Sequence, residues 1–148
     1  MFGFGKRNKQ SYPATSKWAV LEGTNSGKVM FVRRNDSARE LSKHPEYHFR
    51  VGVALPLKAP NEHGLPGAAE SEELNAIEDM LVPRLESEQR SLLVLTITTG
   101  GMREFVFYTR DHQFAQSVLE ELRTKVSSHE LQAYIEDDPS WQAYNQFA

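Results

Sequence analysis

The chain is predicted to be an α+β protein: an antiparallel sheet with two helices on one face, plus an N-terminal β-hairpin and a short C-terminal helix. Three observations lead there. Tyr47, Phe49, Val51, Val53 and Leu55 alternate with His48, Arg50, Gly52 and Ala54, the two-residue period of a half-buried strand. Leu74, Ile77, Leu81 and Leu85 recur at helical spacing. From His48 onward such segments run strand, helix, strand, strand, helix, strand. With right-handed crossovers, two split βαβ units in that order build a ferredoxin-like sandwich.

The elements follow in order. Trp18 to Glu22 and Lys28 to Arg33 are apolar runs joined by the turn formers Gly23 to Gly27, a hairpin signature. Asn35 to Pro45 is a polar connection with one helical turn over Ala38 to Leu41. Leu57 to Ala68 holds Pro60, Gly64, Pro66 and Gly67 and must be a loop. In the helix after it, Glu70, Glu72, Glu73, Glu78 and Asp79 fall on the solvent side, and Pro83 is expected to kink or end it. Ser91 to Thr99 and Arg103 to Thr109 are strands around a Gly100-Gly101 turn. Asp111 caps a helix with Phe114, Val118, Leu119, Leu122 and Val126 on its buried stripe. Leu131, Ala133 and Ile135 form the last strand. Asp138 sits where an N-cap belongs, Pro139 at the first helical position, and Trp141, Tyr144 and Phe147 fall three apart.

Composition bounds the function classes. A chain of 148 residues fits one domain, here residues 15–148 after a flexible, mildly basic arm, 1–14. Cysteine is absent, which removes disulfides, thiolate catalysis and cysteine metal sites together. The net charge of −3 lacks the basic footprint of a nucleic-acid binder. No apolar run reaches the ~18 residues a membrane span requires. A cytoplasmic location is expected, and a homo-oligomer is left open.

Asp137 and Asp138 could act as paired carboxylates, but their place before Pro-Ser-Trp fits a helix cap better. His44 and His48 are four apart, yet Pro45 breaks the helical geometry that an i,i+4 zinc pair needs. No Gly-x-Ser-x-Gly occurs, and Gly64 to Gly67 lacks the lysine of a phosphate loop. Neither a metal nor a cofactor is implied.

The order and spacing of several segments resemble a known family. Trp18, Asn61-Glu-His-Gly64-Leu-Pro66, Gly101-Met-Arg103-Glu-Phe105-Val-Phe107-Tyr108 and Asp137-Asp138-Pro139-Ser-Trp141-Gln-Ala-Tyr144 look like the bacterial family called domain of unknown function 695. The Asp-Asp-Pro-x-Trp-x-x-Tyr ending also resembles the ribonuclease E inhibitor family, regulator of ribonuclease activity B. That resemblance implies a ferredoxin-like fold and a protein partner in RNA processing.

Period-2 placement then nominates a binding face. With Phe49, Val51, Leu93, Leu95, Phe105, Phe107 and Ile135 toward the helices, His48, Arg50, Thr96, Thr98, Val106, Tyr108 and Tyr134 fall on the reverse. The candidate binding residues are His48, Arg50, Tyr108 and Tyr134 from that face, with Arg103, Trp141 and Tyr144 from the aromatic segments. The leading reading is a non-catalytic regulatory module that binds another protein. Two alternatives stand beside it. One is a small-ligand binder or cofactor-free enzyme, with Arg50 clamping an anion and His48, Tyr108 or Glu62 moving protons. The other is direct RNA binding on the Arg103 to Tyr108 strand.

Overall fold

A computed structural model describes residues 12–148; the expected flexible arm falls mostly on residues 1–11, outside the described residues. Six strands form one antiparallel sheet: β1 (Trp18–Asn25), β2 (Lys28–Asn35), β3 (Phe49–Pro56), β4 (Ser91–Thr99), β5 (Met102–Thr109) and β6 (Gln132–Asp137). Three α-helices accompany them: α1 (Ala68–Leu85), α2 (His112–Lys125) and α3 (Gln142–Asn145). The strand order across the sheet is β1-β2-β4-β5-β3-β6, so the hairpin lengthens the sheet beyond β4. Its turn is tighter than the glycines at 23 and 27 suggested. Ser26 and Gly27 alone make it, both at positive φ, which matches the right-handed twist of the flanking strands.

Two sequence expectations about helices are corrected. Pro83 neither ends nor splits α1, which runs on to Leu85. Only one backbone donor is lost there, and it lies in the final turn, where little ladder remains to break. In the tail, Pro139 is not the first helical position. The helix begins later, after Trp141 in the left-handed region at φ 54°.

The sheet separates two cores. On one side Val51, Val53, Phe105 and Phe107 meet Leu74 and Leu81 of α1 and Val118 and Leu122 of α2. Both long helices therefore share that face, as the alternation in β3 and β5 requires. On the reverse, Val32, Val94, Val106 and Tyr108 are covered by Ala38, Leu41 and Tyr47 from the β2–β3 connection and by Trp141 and Tyr144 from the tail. The reverse face is not left wholly open: the connection and the tail fold back over its centre, and a concavity of about 330 Å³ remains beside Arg50, Glu104, Tyr134 and Gln142.

A bulge in β4 decides which residues face where. Its register against β5 slips between Leu93 and Leu95. An extra residue in one strand inverts the alternation beyond it. Leu95 thus packs in the reverse core, whereas Thr96 and Thr98 turn to the helix side, opposite to the strict period-2 placement.

Candidate functional site

Asp138 organises the tail. Its carboxylate accepts from the Gln142 backbone N–H at 2.9 Å and the Ala143 N–H at 3.3 Å, closing the N-terminus of α3. It also accepts from the Tyr108 hydroxyl at 2.7 Å and the Arg50 guanidinium at 2.9 Å. Burial would raise the pKa of this carboxyl. The Gln142 and Ala143 N–H groups, the Tyr108 hydroxyl and the Arg50 charge together hold it below its ordinary range. Burial and the bond to Asp138 push the Tyr108 hydroxyl far up, so it stays neutral.

The aromatic residues of the tail complete this clasp. Trp141 stacks on Tyr108 with ring centroids 3.9 Å apart and planes within 6°, and its indole N–H donates to the Tyr47 carbonyl at 2.7 Å. Tyr144 donates its hydroxyl to the Asn35 carbonyl at 2.8 Å. Tyr108, Trp141 and Tyr144 are all buried, which withdraws these three from the expected binding surface. Side chains this large secure more by leaving water than by waiting for a ligand.

The other reverse-face candidates are also engaged. Arg50 bridges Asp138 and Glu136, the latter at 2.5 Å, and lies over the Tyr134 ring. Tyr134 donates to Glu104 at 2.6 Å. The half-exposed His48 ring contacts Asp137 at 2.7 Å. Glu62 sits in the loop beyond the far end of β3, so Arg50, His48, Tyr108 and Glu62 are not assembled into one constellation.

Gly52 is required by this arrangement. A Cβ there would stand 2.1 Å from the Tyr134 ring, which lies flat across the glycine. Gly52→Ala is expected to displace the ring, break its bond to Glu104 and cost about 1–3 kcal/mol. Urea unfolding of Gly52→Ala, alone and combined with Tyr134→Ala, checks this. The double variant should lose much less than the sum of the single losses.

Another buried pair ties the α1 start to the segment before β6. Glu70 accepts from the Lys58 and Ala59 backbone N–H groups and meets His129 Nε2 at 2.6 Å. The helical spacing puts Glu70 on the solvent side of α1, whereas the structure buries it. A carboxylate in the first turn of a helix is so commonly exposed that the pattern held no signal for this bond.

A larger open concavity lies on the helix side of the sheet, where the hairpin extends beyond α1. A groove of about 590 Å³ runs there over Phe31 and Arg33 of β2, Thr96 and Thr98 of β4, and Arg103 of β5. The α1 residues Asn75, Glu78 and Asp79 wall one side, and Val20, 72% exposed, forms the rim. Arg33 donates to both Glu78 oxygens, at 2.8 and 3.0 Å, and to the Thr96 hydroxyl at 3.0 Å. Arg103 donates its Nε to the Thr98 hydroxyl at 2.9 Å, and no carboxylate within ion-pairing distance of it is found among the described residues. Burial first, and the neighbouring Arg33 second, lower the pKa of Arg103, against the pull of Glu78.

Arg103 is thus the one sequence candidate in this groove, separated by the sheet from the other six. Arg33 carried no expectation as a site residue, Thr96 and Thr98 were expected on the reverse face, and Glu78 on the solvent side of its helix; the structure brings all four to the groove. No local signal marked the bulge that turns both threonines over, because the aliphatic run Leu92-Leu93-Val94-Leu95 is what any strand buried on both faces shows.

Neither the curated proteins nor the solved structures contain a match to this chain. The family models do: with the match running from residue 16 to residue 148, through the hairpin, both long helices and the Asp138 clasp, the chain belongs to the family of unknown function DUF695.

Proposed function

We propose that this protein is a non-catalytic regulatory module that binds a protein partner through the groove between the β1–β2 hairpin and α1. The observation that carries the reading is Arg103, a half-buried cation in an open concavity with no carboxylate within ion-pairing distance among the described residues. Half-burying an arginine without a carboxylate partner costs stability, and complementary charge supplied by a partner offsets that cost. The exposed Val20 rim and Trp18, 37% exposed, add apolar area beside it. A mixture of exposed apolar residues and one desolvated arginine is the composition of an interface centre.

The same proposal includes a ferredoxin-like reading of residues 49–137. It is supported by the order β4-β5-β3-β6 and by both long helices sharing one core. A cytoplasmic bacterial setting and a partner in RNA processing come from the resemblances alone. The ending that resembles the ribonuclease E inhibitor family is spent on closing the reverse core, so it does not point to the partner's surface. A second reading has its own support: the groove volume falls within the range of small-molecule sites, about 300–1,000 Å³.

Affinity capture from lysate with the wild type, Val20→Asp and Arg103→Met, followed by reconstitution with the purified partner, tests the proposal. A saturable complex that both variants abolish and Glu120→Gln leaves intact is expected. A complex indifferent to both groove variants would place recognition elsewhere.

A further inference from the structure

We infer that the groove recognises a carboxylate, gripped by the Arg103 guanidinium, with an adjoining apolar group laid on Phe31 and Val20. This rests on reading the groove as the recognition site and names the chemistry it selects. Two arginines line the groove, and they are in different states. Arg33 already has a counter-charge, with one terminal nitrogen shared between the two Glu78 oxygens and the Thr96 hydroxyl and its guanidinium over the Trp18 ring. Arg103 is only aimed. Its Nε–H···Oγ1 bond to Thr98 at 2.9 Å fixes the guanidinium plane, and its two terminal nitrogens have no hydrogen-bond partner among the described residues. They are not sealed from the groove, because the single buried, unpartnered side-chain nitrogen or oxygen among the described residues is the Nε of Arg50. A planar fork held in one orientation, with donors free, fits the two oxygens of a carboxylate.

Charge selects among anions. Arg33 and Arg103 face Glu78 and Asp79 across the groove, so these four groups sum to zero before anything binds. One added negative charge meets the unpaired cation, whereas a phosphate dianion would also meet the two acidic groups on α1. Burial and Arg33 already disfavour the charge on Arg103, and a bound carboxylate would relieve that. Apolar contact beside it comes from Phe31, half-buried on the floor, and Val20, exposed on the rim. The ligand therefore carries its carboxylate next to an aliphatic or aromatic group, as in an apolar acid or the C-terminus of a peptide ending in an apolar residue.

The test is an NMR titration of the whole chain with three probes: 3-phenylpropionate, its neutral amide 3-phenylpropionamide, and phenyl phosphate. Two peptides ending in phenylalanine, one with a free C-terminus and one amidated, distinguish a partner chain from a free acid as the source. Saturable shifts of the Arg103 Nε–H and of the Thr96 and Thr98 amides are expected with 3-phenylpropionate. The affinity should fall about tenfold or more for the amide and in Arg103→Met. Equal binding of acid and amide, tighter binding of phenyl phosphate, or shifts unaltered by Arg103→Met would overturn the assignment. The probes need no partner protein, so a blank titration rejects the carboxylate while the capture experiment still judges the groove.

Discussion

Replacing Asp138 with alanine is expected to lower the free energy of unfolding by about 3–5 kcal/mol, the range for removing one member of a buried ion pair. The carboxylate is 5% exposed and serves the α3 N–H groups, the Tyr108 hydroxyl and Arg50 at once. Without it, the buried Tyr108 hydroxyl loses its acceptor and Arg50 keeps only Glu136, with one of its nitrogens already lacking a partner. The loss is large for a domain whose total stability is about 5–15 kcal/mol. Asp138→Asn should cost less, because the amide oxygen can still accept from the helix N-terminus. A pH effect follows. The folded pKa of Asp138 lies below the unfolded value, so the folded state holds the ionised form more tightly. The stabilisation is complete above the ordinary carboxylate range and is lost as pH falls through the folded pKa. Urea midpoints measured downward from neutral pH should decline in the wild type and decline less steeply in Asp138→Asn.

Trp141→Ala is expected to cost about 3–5 kcal/mol, the range for truncating a fully buried large aromatic. Trp141 is 1% exposed and fills the space between Tyr108 and Tyr144 while its indole N–H serves the Tyr47 carbonyl. Truncation leaves a cavity in a core built from loop and tail rather than from long helices, and that carbonyl goes unpaired. Trp141→Phe should lose less, since ring area remains and only the donor goes. Fluorescence offers an independent check, because the chain has two tryptophans and Trp18 is exposed. Emission from Trp141→Phe should come from a solvent-accessible indole that quenchers reach readily. Retention of a shielded, blue-shifted component would contradict the packing.

The long elements were legible because their periodicity is carried by many residues. β3 alternates throughout its visible pattern, and α1 and α2 bury the stripes their spacing announces. Asp111 was legible as a cap for the same local reason, a short acceptor just before a helix, whereas Asp138 lies three residues ahead of the true N-cap, Trp141, and reaches the first N–H groups of α3 across that turn. What escaped was long-range or depended on a single residue. The β4 bulge turns Thr96 and Thr98 over, a change that strict alternation cannot anticipate. The left-handed Trp141 steers its ring onto Tyr108, and the chain from 36 to 47 folds back over the same side. Those two contacts turned an expected binding face into a second core. The groove was illegible for a matching reason. It exists because the hairpin extends the sheet past α1, and no local pattern states where a hairpin attaches.

The proposed function divides the labour of the molecule: the reverse face would hold the fold together, and Arg103 would serve recognition at some expense to stability. Equilibrium urea unfolding of Arg103→Met in the absence of any ligand tests it most directly. The midpoint is predicted to stay level or rise, since methionine fills the stem's volume without a half-buried, uncompensated charge. A fall in stability as large as that of Arg50→Met, whose charge is paired to Glu136 and Asp138, would make Arg103 a structural residue and contradict the account.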